Sequence, residues 1–216
     1  MSLYDTLSGG EQQTAENAKR VGVAVGIVTN NKDPDGLGRV RVTFPWFSDE
    51  NESAWARVTT LMAGKDRGVL FLPEVDDEVL VAFEQGDMRR PYVIGALWNG
   101  VDTLPKEFAN DGKNNLRLIK SRSGHLIQLD DTDGSEKISV IDKAGKNSIV
   151  IDTRENTITI TTDKDIVLKA PQGKISLDSK EIEIKSSAAI KVDAGSEMKV
   201  TASATLTLKG ATVNIN

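Results

Sequence analysis

From Ile149 onward the chain repeats one small pattern: two aliphatic residues separated by a single residue, then a short polar stretch. The pairs are Ile149/Ile151, Ile158/Ile160, Ile166/Leu168, Ile175/Leu177, Ile182/Ile184, Ile190/Val192, Met198/Val200, Leu206/Leu208 and Val213/Ile215. Their first members are 9, 8, 9, 7, 8, 8, 8 and 7 residues apart, so this is an internal repeat with a period close to eight. An apolar-x-apolar pair puts both side chains on one face of an extended strand. The intervening residues (Thr159, Ser176, Glu183, Lys191, Lys199 and Thr207, with Val167 the exception) then face outward. Leu116/Leu118, Ile127/Leu129 and Ile138/Val140 are looser versions upstream, separated by turn-like segments such as DDTDGSEK. One chain of this kind has a narrow apolar stripe and open strand edges. Three copies turning their stripes inward and pairing laterally solve both problems, so the repeat predicts an obligate, intertwined oligomer. A single-chain parallel β-helix is the competing architecture.

The first half has a different grammar. VGVAVGIVTNN, RVRVTFPWF, SAWARVTTLMA, GVLFLP and EVLVAFEQGDMRRPYVIGALWNG read as short strands broken by Gly, Pro and Asp turns. Five or six such strands in about 80 residues, with no strong helical periodicity, predict a small closed or partly closed barrel. All ten aromatic residues lie between Tyr4 and Phe108, and five of the six prolines precede Pro171. A thin, regular core has no room for large rings, so this asymmetry separates the two parts. The expected organisation is an N-terminal arm (1–20), a barrel (21–100), a polar linker (101–115) and a repeat region (116–216). Ser8 and Glu11 resemble a capping box in the arm.

Composition narrows the chemistry. The 216 residues contain no cysteine and a single histidine, His125, which excludes disulfides, thiolate metal sites and any histidine-rich cluster within one chain. A net charge of −5 argues against a large phosphate-binding face. No apolar run approaches the roughly 20 residues needed to cross a bilayer, and MSLYDTLSGGEQQ lacks the basic start and apolar core of a secretory signal. DPDGLG (33–38) fails the calcium-loop register because Leu37 and Phe44 fall at ligand positions, so it reads as a turn. DDTDGSEK (130–137) reads as a solvated hairpin. Glu74, Asp76, Asp77 and Glu78 cluster as paired hydrolytic carboxylates do, yet they sit at a strand entry, which favours a structural role. Arg39, Arg41, Arg57, Arg67, Arg89 and Arg90, with Trp46 and Trp55, are a faint match to a nucleic-acid stacking groove. Acidic residues are interleaved among them, so pairing with protein subunits is the better reading. His125, beside Gly124 at a strand start, reads as a surface or hydrogen-bonded histidine.

The same residues resemble a known family: phage baseplate assembly protein V and the VgrG-like central spikes of contractile tails and injection systems. The resemblance rests on VGIVTNNKDPDGLGRVRVTFPW, on Pro73–Phe83 (PEVDDEVLVAF), on Gly86–Leu97 (GDMRRPYVIGAL) followed by Trp98-Asn99, and on the octad repeat. It implies an all-β chain: an OB-like (oligonucleotide/oligosaccharide-binding-like) barrel followed by a homotrimeric intertwined β-helix, or needle. It implies a structural, non-enzymatic spike that seats on a separately encoded hub and pierces a target envelope on contraction, touching the membrane only transiently. No cofactor, metal or nucleic acid is expected. The barrel-to-repeat linker is too short to hold the lysozyme domain of some phage spikes, and LTLKGATVNIN carries no histidine-rich apex. The expected contacts are Tyr4, Leu7 and Arg20 for the hub, and Thr212, Val213, Asn214, Ile215 and Asn216 for a PAAR-type tip protein. The expected location is a virion tail baseplate or a cytoplasmic assembly of an injection system. The rival functions are a trimeric, tailspike-like polysaccharide-degrading enzyme and an OB-type binding module on a β-solenoid stalk.

Overall fold

The computed structural model describes residues 22–47 and 52–215. Twelve strands and one short 3-10 turn (Glu84–Gly86) make the described chain essentially all-β. It forms two compact units, divided after Lys164.

The first unit begins with a five-stranded sheet in the order β2-β1-β6-β7-β3, built from Val23–Asn30 (β1), Arg41–Thr43 (β2), Arg57–Val58 (β3), Glu78–Phe83 (β6) and Pro91–Ala96 (β7). All its pairings are antiparallel except β3 with β7. Its two edges meet: Val40, just before β2, and Ala56, just before β3, exchange both backbone hydrogen bonds at 3.0 and 2.7 Å. That bridge closes the sheet into a barrel and removes its free edges.

Alternation along each strand fills the interior. Val28, Val40, Val42, Phe44, Ala56, Val79, Val81 and Val93 form the buried core. Six of these eight are valines, because β-branched side chains pack well on the inner surface of a strongly curved small barrel. Phe44 supplies the one large ring and packs against Phe83, 5.7 Å between centroids. Gly26 makes room for it: a Cβ there would lie 3.2 Å from the Thr43 carbonyl and 3.4 Å from the Phe44 ring. A small hairpin, Ala63–Gly64 (β4) with Arg67–Gly68 (β5), projects from the barrel chain and turns through Asp66 at φ 54°.

Beyond the barrel, Leu116–Lys120 (β8), Leu126–Asp130 (β9), Lys137–Ile141 (β10), Ser148–Asp152 (β11) and Thr157–Thr161 (β12) form an antiparallel meander with neighbours in sequence order. Aspartates close its turns. Asp130 accepts from the backbone N–H of Thr132, Asp142 from Lys146 and Asn147, and Asp152 from Glu155, at 2.9–3.2 Å. Hydrogen bonding, from the Thr132 side chain first for Asp130 and from backbone N–H groups first for Asp142 and Asp152, favours the charged carboxylate and holds all three groups below the ordinary aspartate range. The sheet is tied back to the preceding chain by Lys120 to Glu107 at 2.7 Å and by Arg122 to Glu74 at 2.7 Å.

In the second unit, residues 165–215, no strand ladder forms within the chain. The segment carries the octad repeats as bends and extended stretches, with both members of every pair exposed.

Candidate assembly surfaces

The register of the meander sorts its side chains into two faces. Ile119, Ile127, Val140, Ile149 and Ile160 lie opposite one another in successive strands and form one row. Leu129, Ile138, Ile151 and Ile158 form a second row on the same face, with Arg117 in the matching position of β8. Cross-strand partners share a face, so nine aliphatic side chains make one continuous apolar surface. They are 39–70 % exposed. The opposite face carries Leu118, Gln128, Ser139, Val150 and Thr159 in register, a central row of mixed polarity.

The row assignment corrects one detail of the sequence reading. Leu116 and Leu118, a pair in the apolar-x-apolar pattern, stand opposite Asp130 and Gln128 and therefore lie on the other face. Ile119 takes the place in the apolar row. The alternation LRLIK permits either phase, and only the register against β9 decides between them.

The octad pairs continue this apolar series into the second unit. Ile166, Ile175, Ile182, Ile190, Met198, Leu206 and Val213 are 51–57 % exposed, and their second members 55–86 %. More than half of each residue therefore remains open to water in one chain.

Of the residues assigned to partners, Thr212, Val213, Asn214 and Ile215 lie exposed at the end of the described repeat. Tyr4, Leu7, Arg20 and Asn216 lie outside the described residues, as does the 1–20 arm with its capping box. His125 is exposed and bonded through its backbone, donating from N to Ser121 Oγ and accepting at its carbonyl from Ser121 N. The DPDGLG segment is a turn organised by Asp33. Its carboxylate accepts from the backbone N–H groups of Asp35, Leu37 and Arg39 and takes the Arg39 guanidinium in two bonds of 2.9 and 2.7 Å. The Arg39 guanidinium first, then these backbone bonds, holds Asp33 far below the ordinary range. The acidic cluster is dispersed into separate tasks: Glu74 pairs with Arg122, Asp77 accepts from the Glu74 backbone, and Glu78 accepts from Asn99. No helix among the described residues is long and apolar enough to cross a membrane.

A closed five-stranded barrel, followed in the chain by repeated exposed aliphatic pairs, defines an all-β protein of the barrel-and-repeat class. Residues 24–98 match the type VI secretion system/phage-baseplate injector OB domain. The chain is 32% identical over 126 residues to the type VI secretion system spike protein VgrG1a of Pseudomonas aeruginosa, covering 54% of this chain and 20% of that protein. It is 34% identical over 116 residues to VgrG1b of the same organism (49% and 16%). It is 29% identical over 126 residues to VgrG3 of Vibrio cholerae (56% and 12%). The matched region spans a fifth or less of these relatives' length. Residues 24–98 are thus similar to injector OB domains, and about half of the chain resembles VgrG spike proteins.

Proposed function

We propose that this chain is the central spike of a contractile phage tail or of a type VI-like injection system, and that it works as a homotrimer. Three barrels form a collar that seats on a separately encoded hub. The nine-residue apolar faces of three meanders turn inward to form a closed prism. Residues 165–215 of three chains pair laterally into a needle that transmits the contraction stroke and perforates the target envelope. The role is mechanical and involves no catalysis: many backbone hydrogen bonds sheared together, without free edges, resist unfolding. The arm, through Tyr4, Leu7 and Arg20, meets the hub, and Thr212–Asn216 meet a PAAR-type tip protein. The needle touches the target membrane only in passing.

The observation that carries this reading is the exposed aliphatic residues of each unit: the nine-residue face of the meander, and the octad pairs of residues 165–215, both left open to water in a single chain. Exposed apolar surface of this kind marks an interface. The similarity of residues 24–98 to the injector OB domain supports this kind of machine. Light scattering on the purified chain tests it, with an unboiled denaturing gel alongside. The reading requires a mass of three times 23.4 kDa and resistance to detergent. A stable monomer overturns it.

A further inference from the structure

Outside the apolar series, the outer wall of the barrel carries a second surface with different chemistry. The Val40–Ala56 bridge that closes the barrel also aligns their outward neighbours, Arg39 with Arg57 and Arg41 with Trp55. The parallel pairing of β3 with β7 then sets Arg57 beside Tyr92. The result is an open cleft of about 570 Å3 whose walls include Arg39, Trp55, Arg57, Arg89, Arg90 and Tyr92, and no carboxylate lines it.

The guanidinium groups are held by stacking and by ties on their outer sides. Arg39 lies 5.8 Å from the Trp55 ring centre, and Arg57 lies 5.7 Å from that of Tyr92. Cation–π contact fixes the plane of the group while leaving its N–H edges available. Arg39 is tied to Asp33 and Asp35, Arg89 to Asp87 and Arg90 to Glu84. Arg57 has no ion pair among the described residues. It is therefore the central cation with full capacity for a bidentate carboxylate.

We propose that this cleft docks a short acidic segment of a partner protein, a carboxylate side chain seating on Arg57 while neighbouring apolar atoms pack on Trp55 and Tyr92. The rim favours a short peptide over a nucleic acid. Asp33, Asp35, Glu84 and Asp87 stand around the arginines, so a long polyphosphate backbone leaving the cleft meets negative charge, whereas a few carboxylates end inside it. The site does not depend on the trimer reading, since every residue named comes from one chain.

Fluorescence polarisation of a labelled hexaglutamate peptide against the full chain tests the proposal, with a labelled ten-residue oligothymidylate as comparator. Saturable peptide binding that weakens with salt is expected, with oligothymidylate binding more weakly. Arg57→Ala should weaken the peptide about tenfold, the loss of one charge-assisted bidentate contact. Arg57→Lys, which keeps the charge without the fork, should fall between, and Arg122→Ala should leave affinity unchanged. Arg89→Ala provides a second cleft variant should Arg57→Ala lower the melting temperature. Peptide affinity unmoved by both cleft variants, no saturable peptide binding, or tighter oligothymidylate binding each overturns the proposal. So does a change of molar mass in Arg57→Ala, which would make the cleft an interface between copies of this chain.

Discussion

Replacing Ile138 and Ile151 together by aspartate separates an open apolar face from a closed one. The two residues are direct cross-strand partners, and each is about 40 % exposed in a single chain (45 % and 39 %). Fully burying an isoleucine side chain contributes about 2 kcal/mol, so covering the part still open contributes roughly 1 kcal/mol per site. Two sites in three chains give about 6 kcal/mol, more than four decades in the assembly constant at 1.4 kcal/mol per decade. Six carboxylates confined in a closed core add a further penalty of several kcal/mol each unless they are protonated. If the face is open instead, the same aspartates sit on a half-exposed sheet and cost little. Light scattering reads the difference: the double variant should run as monomer or aggregate where the parent chain runs at three times 23.4 kDa. Thr159→Asp on the opposite face should keep the parent mass. A double variant with the parent's mass, detergent resistance and melting temperature refutes inward packing of this face.

Other consequences are smaller and more local. Gly26→Ala should destabilise the barrel by about 1–3 kcal/mol, seen as a lower melting temperature, because the new Cβ presses on the Thr43 carbonyl and the Phe44 ring. Acid should weaken the barrel in a defined window. The carboxyls of Asp33 and Asp87 are depressed on folding, Asp87 to about 2 by its hydrogen bonds from Arg89. Their contribution is therefore complete above the ordinary carboxylate range and is lost as pH falls toward 2; melting curves between pH 5 and 2 should show it, and Asp33→Asn should flatten the slope. Arg122→Ala, which removes an exposed ion pair to Glu74, should lower stability by less than about 1 kcal/mol in urea titrations. Deleting residues 1–20 should leave the molar mass unchanged and abolish co-purification with the hub; retained hub binding would move that contact elsewhere.

The parts legible in the sequence are those where one physical rule acts alone. The octad pairs are visible because a stripe with a single apolar face imposes period two locally and a fixed spacing between turns. The barrel is visible through its punctuation: Asp33 and Gly36 build one turn, Pro73 ends one apolar run, and Gly86 ends the turn between β6 and β7. What escaped depends on pairing across distance. Closure by Val40 and Ala56 involves one residue from each edge, too short to leave a periodic signal. The phase of β8 is undecidable from LRLIK, where apolar residues occupy both faces. The arginines and tryptophans of the barrel wall can be counted in the sequence. The convergence of Arg39, Arg57, Arg89, Arg90 and Trp55 on one cleft cannot, because it follows from the same bridge and from the parallel β3–β7 pairing.

The two units of the chain lack different things, and this bears on how the proposed needle would form. The meander pairs its backbone internally, leaving its apolar face and the outer edges of β8 and β12 open. Residues 165–215 lack that internal pairing: among the described residues there, backbone pairing amounts to a turn bond from Gly173 N to the Ala170 carbonyl. Water satisfies those amides and carbonyls while the segment is exposed. Burying the aliphatic pairs withdraws that water, and an unpaired buried backbone group costs as much as a lost hydrogen bond. Side-chain burial and lateral strand pairing must therefore occur together, chain against chain. A meander that associates first through its preformed face holds three repeat segments at high local concentration and in common register. In the trimer proposed above, the needle would form by cooperative zipping along residues 165–215, with the associated meanders as its nucleus.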